Sequence, residues 1–238
     1  RNSIDFLENN VPELPERQRS IRAVFASTWE RLPERLRAVF MRLAVIRGGC
    51  SRAAAQAIAG ASLRELQVLV GKSLLARDSA GQLNIHELLR QYAEEQLRLA
   101  GQYEAARDAH SDYYLHLLEQ REPDIKGRNQ LDALGEIDAD FENVRDAWLW
   151  AVKMSDTSAL GSTLESLYWY CDLRERRQDR LALLQVALDA CAGQGEDRWS
   201  GRLLARCWQT PAQARSQLRR GLAIARQRDD HAEIAQCL

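Results

Sequence analysis

Residues Leu74–Leu99 read LLARDSAGQLNIHELLRQYAEEQLRL, and a change of period inside this stretch decides the fold. Leu74-Leu75-Ala76-Arg77 and Gln82-Leu83-Asn84-Ile85 flank the Gly-containing turn Asp78-Ser79-Ala80-Gly81, so two short extended segments and a small hairpin are predicted. From His86 or Glu87 to about Leu99 the period becomes helical, with Leu88, Leu89, Tyr92, Ala93 and Leu97 on one face.

Upstream of the hairpin the pattern is helical. A polar stretch to Leu14, with Asn9-Asn10 and Pro12, reads as a linker entering a domain. After Pro15, Ile21, Val24, Phe25, Thr28 and Trp29 predict a helix; after Pro33, Leu36, Val39, Phe40 and Leu43 predict a second, stopped by Gly48-Gly49. A third runs from about Arg52 to Ala59 and ends at Gly60. Ser62 followed three residues later by Glu65 is a capping-box pattern that starts a fourth. Helices followed by a hairpin are the order of a winged helix-turn-helix domain, which is assigned to residues 15–100.

That fourth helix absorbs Gly71-Lys72-Ser73, the closing letters of a phosphate-binding loop. Such a loop needs G-x-x-x-x-G-K-[ST] after a strand, because its first glycine lets backbone N–H groups wrap the phosphates. Leu66 stands where that glycine is required, and Leu63, Leu66, Leu69 and Val70 recur at helical spacing. The tripeptide therefore reads as the frayed end of an amphipathic helix.

Downstream of Gly101 the chain is helical almost throughout, and three segments share one template. Val144, Ala147, Trp148 and Ala151 match Leu184, Ala187, Leu188 and Cys191, and these match Leu218, Gly221, Leu222 and Ala225. Each quartet is one helix face with a small residue in second place, where a neighbouring helix can approach. Partner helices are read around Leu160–Leu173 and Leu203–Trp208. Helix pairs repeating at about 34 residues have tetratricopeptide spacing. The fold expected is mainly α: connecting helices over 101–140, then a tetratricopeptide-like α-solenoid over 141–238. Arg1 is not methionine and Leu238 falls inside a helical pattern, so the chain is read as a piece of a longer protein with further repeats.

Composition fits soluble domains: 45% hydrophobic and 28% charged over 238 residues, without a spanning segment or a signal segment. A cytoplasmic address with no membrane partner is the expectation. The five cysteines are widely spaced without a C-x-x-C pair, which points to neither zinc nor a disulfide framework. Net charge is −1 but uneven. Residues 15–100 carry 14 Lys+Arg against 8 Asp+Glu, and residues 101–238 carry 18 against 23. The basic half can face phosphate, nucleic acid or an acidic partner domain, or simply solvent.

No serine, cysteine or carboxylate pair has a nucleophile or acid–base context, so an enzyme activity is not expected. His110 and His116 are not spaced as a metal pair, and His231 reads as an ordinary packing or surface residue. Asp138, Asp140 and Glu142 read as an acidic helix start, and no metal site is expected. His86, where hairpin passes into helix, can offer an imidazole donor beside the positive helix end. Glu87 opposes an anion there, so a complete site would need another domain. The alternative is that His86 caps the helix and packs under the wing. For nucleic acid, the candidate recognition helix Ser62–Gly71 offers Arg64, Gln67 and Lys72, with Glu65 among them.

The segments LNIHELLRQYAEE (Leu83–Glu95), LPERQRSIRAVFASTW (Leu14–Trp29), VFMRLAVIRGG (Val39–Gly49) and LVGKSLL (Leu69–Leu75) together resemble the winged-helix domain of the STAND signal-transduction ATPases. That class includes the NB-ARC proteins and large bacterial transcriptional activators with repeat sensors. The resemblance implies a P-loop ATPase domain and a helical domain upstream of Arg1, with ADP or ATP and Mg as their cofactors. It also implies that the winged helix folds over bound ADP at rest, and that the histidine of a Met-His-Asp-like motif touches the β-phosphate. Ile85-His86-Glu87 matches that motif at one letter of three and keeps its apolar, His, acidic character. The implied role is a non-catalytic regulatory and sensor segment, whose repeats read an inducer or partner to control oligomerisation. A DNA-binding regulator is the alternative.

Overall fold

A computed structural model describes residues 28–191, 197–208 and 210–238, which fall into two compact units divided between Tyr113 and Tyr114. The 1–14 linker and most of the first expected helix, with Ile21, Val24 and Phe25, lie outside the described residues.

In the first unit helix α1 (Glu34–Leu43) buries Leu36, Val39, Phe40 and Leu43, the face read from the sequence. Pro33 precedes it with φ −53, an angle already set for helix entry. Strand β1 is Gly49–Cys50. Helix α2 (Arg52–Ala59) is capped by Ser51, whose side chain accepts from the Ala54 N–H, and stopped by Gly60 in the left-handed region at φ 63. Helix α3 (Leu63–Gly71) opens with the complete Ser62/Glu65 capping box and buries Leu66 and Leu69. Strands β2 (Ala76–Arg77) and β3 (Leu83–Asn84) form the hairpin, and α4 (Glu87–Leu99) follows. Helix α1 is the hub: α2, α3 and α4 all pack on it.

The sheet is antiparallel in the order β1-β3-β2, with Cys50 opposite Leu83 and Arg77 opposite Leu83 on the other side. The hairpin turn is held by Asp78, whose Oδ1 accepts from the N–H groups of Ala80 and Gln82 at 2.9 Å each. Strand β1 is a correction to the sequence reading, which took Gly48-Gly49 only as a helix stop. Gly49 lets the strands approach closely: a Cβ there would come within 2.8 Å of Asn84 Oδ1 and displace that side chain. The Gly71-Lys72-Ser73 reading agrees with the structure: Gly71 ends α3, Lys72 is its C-cap, and Leu66 is a buried helical residue.

Helix α5 (Tyr103–Ile125) carries the boundary between the units. The second unit continues with α6 (Gln130–Met154), α7 (Thr157–Leu173), α8 (Arg177–Ala190), α9 (Arg198–Arg206), α10 (Pro211–Gln227) and α11 (His231–Cys237). Each of α6 to α10 packs on the helix that follows it. In addition α6 meets α8, α7 meets α9, and α9 meets α11.

The repeat template has structural content. Ala147, Ala187 and Gly221, the small residues in second place, are all buried. At Gly221 an added Cβ would lie 3.0 Å from the Gly201 carbonyl oxygen of α9, so the two helices approach backbone to backbone. The turn after the quartet recurs as well. Ser155 and Asp229 take left-handed φ values of 57 and 53, and the next residue's N–H returns to the last template residue: Asp156 to Ala151 at 2.9 Å, Asp230 to Ala225 at 3.0 Å. Both Asp156 and Asp230 then cap the following helix. The same local sequence logic thus ends one helix and starts the next at corresponding places.

Asp138, Asp140 and Glu142 are corrected by the structure. Helix α6 begins at Gln130, so they lie well inside it. Asp138 accepts from the Tyr170 hydroxyl at 2.7 Å and pairs with Arg174 at 2.6 Å. Glu142 pairs with Arg145. Asp140 is buried, and its desolvation pushes the carboxyl up to about 6, against hydrogen bonds from Tyr114 and Asn143. The folded state therefore binds the proton more tightly than the unfolded chain, and the charged form opposes folding. Stability is lost as pH rises from about 4 through about 6, and the loss is complete above that. Asp140→Asn removes it. The variant is expected to gain up to about 3 kcal/mol over wild type at pH 8 and little at pH 4, measured by urea denaturation at both.

Candidate functional site

His86 and the start of α4 are built by the hairpin. Strand β3 delivers Ile85, and His86 in extended geometry (φ −60, ψ 135) is the N-cap of α4. Its Nδ1 accepts the Leu88 N–H at 3.3 Å, while its carbonyl accepts the N–H groups of Leu89 and Arg90 at 2.9 Å each. An imidazole accepting at Nδ1 carries its proton at Nε2. His86 is exposed, and that Nε2–H has no partner among the described residues. Capping and donation are thus compatible in one tautomer: one ring nitrogen closes the helix end and the other faces outward as a donor.

Glu87 is exposed beside His86, but its charge is spoken for. Arg90 reaches back one turn and binds it through two parallel hydrogen bonds, Nε to Oε2 and Nη2 to Oε1, both 2.8 Å. These bonds hold the Glu87 carboxyl down at about 2, so the pair stays formed until the solution is strongly acidic. Arg90 also donates to Glu94 at 2.6 Å and to the Ala44 carbonyl at 3.2 Å, just past the end of α1. Glu94 in turn takes Arg98 at 2.8 Å and Arg47 at 3.5 Å. The network fixes the azimuth of α4 on α1 and neutralises the carboxylate nearest His86. An incoming anion meets a helix N-terminus and an N–H donor with no net opposing charge at that point.

Sequence reasoning located His86 but missed Arg90. The signal was present: Glu87, Arg90, Glu94 and Arg98 follow one another at three- and four-residue steps, the spacing at which side chains on a helix face meet.

Arg64 and Gln67 lie on the exposed face of α3 and Lys72 at its C-cap, so they occupy a different element from His86. Glu65 is engaged: its carboxylate takes the Ser62 N–H at 2.7 Å, the Ser62 hydroxyl, and Arg35 at 2.8 Å, and these hold it down at about 2. Leu63 is 47% and Val68 is 36% exposed on the same outer face. As a base-reading surface α3 therefore offers one arginine and one glutamine set among apolar side chains.

A small cleft beside the hairpin is lined by Leu43, Ile46, Cys50, Leu83, Ile85 and Arg90 and has room for about one water. No group of His, Cys, Asp and Glu side chains among the described residues is arranged to hold a metal ion. No helix among them is long and apolar enough to cross a membrane. Comparison with protein-family models, with curated proteins and with solved structures finds no match to this chain.

Proposed function

We propose that the chain is a non-catalytic regulatory and sensor segment of a STAND-type signal-transduction ATPase. In this reading residues 15–100 act as a winged helix that helps hold the ADP-bound resting state of a nucleotide-binding core elsewhere in the same polypeptide. Residues 101–140 connect it to tetratricopeptide-like repeats over 141–238, which recognise an inducer or partner and so control oligomerisation. ATP or ADP with Mg belongs to the core, and this chain supplies a contact rather than a complete site.

The observation that carries the reading is His86. Its Nδ1 is committed to the Leu88 N–H, and its exposed Nε2–H stands at a helix N-terminus beside a carboxylate already paired with Arg90. That is the donor a terminal phosphate oxygen requires, and it matches the position the resemblance assigns. His86 is then one arm of a two-state element: a contact made in only one state biases the equilibrium by its own free energy. Two results test this. The reading frame upstream of Arg1 should encode a complete G-x-x-x-x-G-K-[ST] loop after a strand. In the full-length protein, His86→Ala should raise the basal fraction of oligomer, read by light scattering. An upstream frame with no such loop would return His86 to helix capping alone.

The arginine excess over residues 15–100, with Arg64, Gln67 and Lys72 exposed, supports a second reading, a DNA-binding regulator. Titration of labelled duplex at two salt concentrations separates the readings. Phosphate-directed binding weakens steeply with salt, and absence of binding at low salt removes this alternative.

A further inference from the structure

Helix α10 carries Arg215, Arg219, Arg220 and Arg226 and no acidic residue, within a half of the chain where 23 Asp+Glu outnumber 18 Lys+Arg. Several arginines elsewhere in the second unit find carboxylates: Arg121 pairs with Glu136, Arg174 with Asp138, Arg180 with Asp172 and Arg198 with Asp230. Arg215, Arg219 and Arg226 do not, and unlike the isolated exposed Arg128 and Arg177 they share one helix. They are exposed and have no hydrogen bond or ion pair among the described residues.

At 100° per residue these three side chains fall within an arc of about 40°, roughly 6 and 10 Å apart along the axis. The opposite face of α10 is the packed one, burying Gly221, Ile224 and Ala225. On one side of the arginine line the exposed residues are the small Ala212, Ser216 and Ala223, and on the other lie the half-buried Leu218 and Leu222. Like charges four residues apart on a helix cost a few tenths of a kcal/mol, and no contact within the fold offsets that for Arg215 and Arg219.

We propose that this face of α10 docks an acidic polypeptide segment, with Arg215, Arg219 and Arg226 each pairing a carboxylate. Guanidinium groups bind Asp and Glu carboxylates through two parallel hydrogen bonds, and small neighbours let a backbone come close. A single-stranded nucleic acid would call for aromatic stacking platforms along the groove, and this face has none. The inference names the partner class for the repeat half and rests on that half being the recognition element of the proposed sensor. It does not depend on His86.

The test is fluorescence polarisation of fluorescein-labelled oligoglutamate titrated with the 238-residue chain at low salt. The expected result is saturable binding, weakened about tenfold or more by the Arg215→Glu/Arg219→Glu/Arg226→Glu triple variant. The charge-matched control Arg31→Glu/Arg52→Glu/Arg77→Glu, on exposed residues of the other unit, leaves it unchanged. If circular dichroism shows the triple variant unfolded, the Gln triple variant replaces it with the same expected direction. Absence of wild-type binding overturns the proposal, as does unaltered binding by a folded triple variant. Tighter binding of a thymidine oligonucleotide of equal charge, lost in the same triple variant, overturns it in favour of nucleic acid. Nucleotide release is not read here, so failure of this docking surface is distinguishable from failure of the ADP-holding role.

Discussion

Trp148→Ala is expected to destabilise the second unit by about 3 to 5 kcal/mol, the range for removing a large aromatic side chain from a close-packed core. Trp148 is fully buried on α6. Its Nε1–H donates to the Leu183 carbonyl of α8 at 3.1 Å, and its ring lies 6.3 Å from that of Trp199 on α9. One side chain thus joins three helices of the stack. Removing it leaves a cavity that rigid helices close only in part, and it abolishes the one polar tie between α6 and α8 that this residue makes. Trp148→Phe keeps most of the volume and should cost clearly less. Five of the six tryptophans lie in the second unit, so the tryptophan-fluorescence transition in urea follows it. A loss under about 1 kcal/mol would mean that the α6–α8 packing described here is not formed.

The second large effect is expected at Arg206, whose loss should cost about 3 kcal/mol or more. Arg206 is buried on α9 and clamps Glu233 of α11 through both oxygens, at 2.7 and 3.1 Å, while also donating to Glu165 of α7. Arg202 stands 3.7 Å from Glu233 and 3.9 Å from Glu165, and donates to the Gly161 carbonyl at 2.8 Å. Two arginines and two glutamates therefore balance in charge where α7, α9 and α11 stack. Arg206→Met leaves two largely buried carboxylates facing Arg202 alone. Replacing Glu233 as well, in Arg206→Met/Glu233→Leu, removes one of the stranded charges and should recover a substantial part of the loss. If the double variant is no more stable than the single, the cost lies in packing rather than in stranded charge. The same fluorescence transition reads both, with an unchanged denaturant slope confirming that the folded ends compare alike.

These residues also mark where sequence reading stops. Local chemistry was legible: the Ser62/Glu65 capping box, the Gly60 stop, the Asp78–Gly81 turn and the buried face of α1 each depend on neighbours within a few positions. The quartet of Val144, Ala147, Trp148 and Ala151 was legible too, since helical period and a small residue at a crossing both leave a pattern in one dimension. Arg206 was not, because its partners are 27 and 41 residues away and an isolated arginine in a mixed helix looks solvated. Strand β1 was invisible for the opposite reason. Two residues are too few for alternation, and only pairing with β3 makes them a strand. The acids of α6 misled because the charge run was taken as a helix start, while the helix extends eight residues further upstream to Gln130. At the candidate site, the sequence placed His86 at a helix start and allowed both capping and anion contact. The hydrogen-bond geometry makes the two compatible, since they use different ring nitrogens.

The proposed resting state is tested most directly by the release of ADP from the longer protein which that proposal implies, followed with a fluorescent ADP analogue chased by excess unlabelled nucleotide. If His86 donates its Nε2–H to a phosphate oxygen in the resting state, His86→Ala removes one charge-assisted hydrogen bond worth about 1.5 to 3 kcal/mol. Release should then accelerate by roughly tenfold to a hundredfold. The chain itself should remain folded, since an exposed cap costs little more than about 1 kcal/mol. Identical release rates from wild type and His86→Ala would contradict the account and leave His86 as a helix cap.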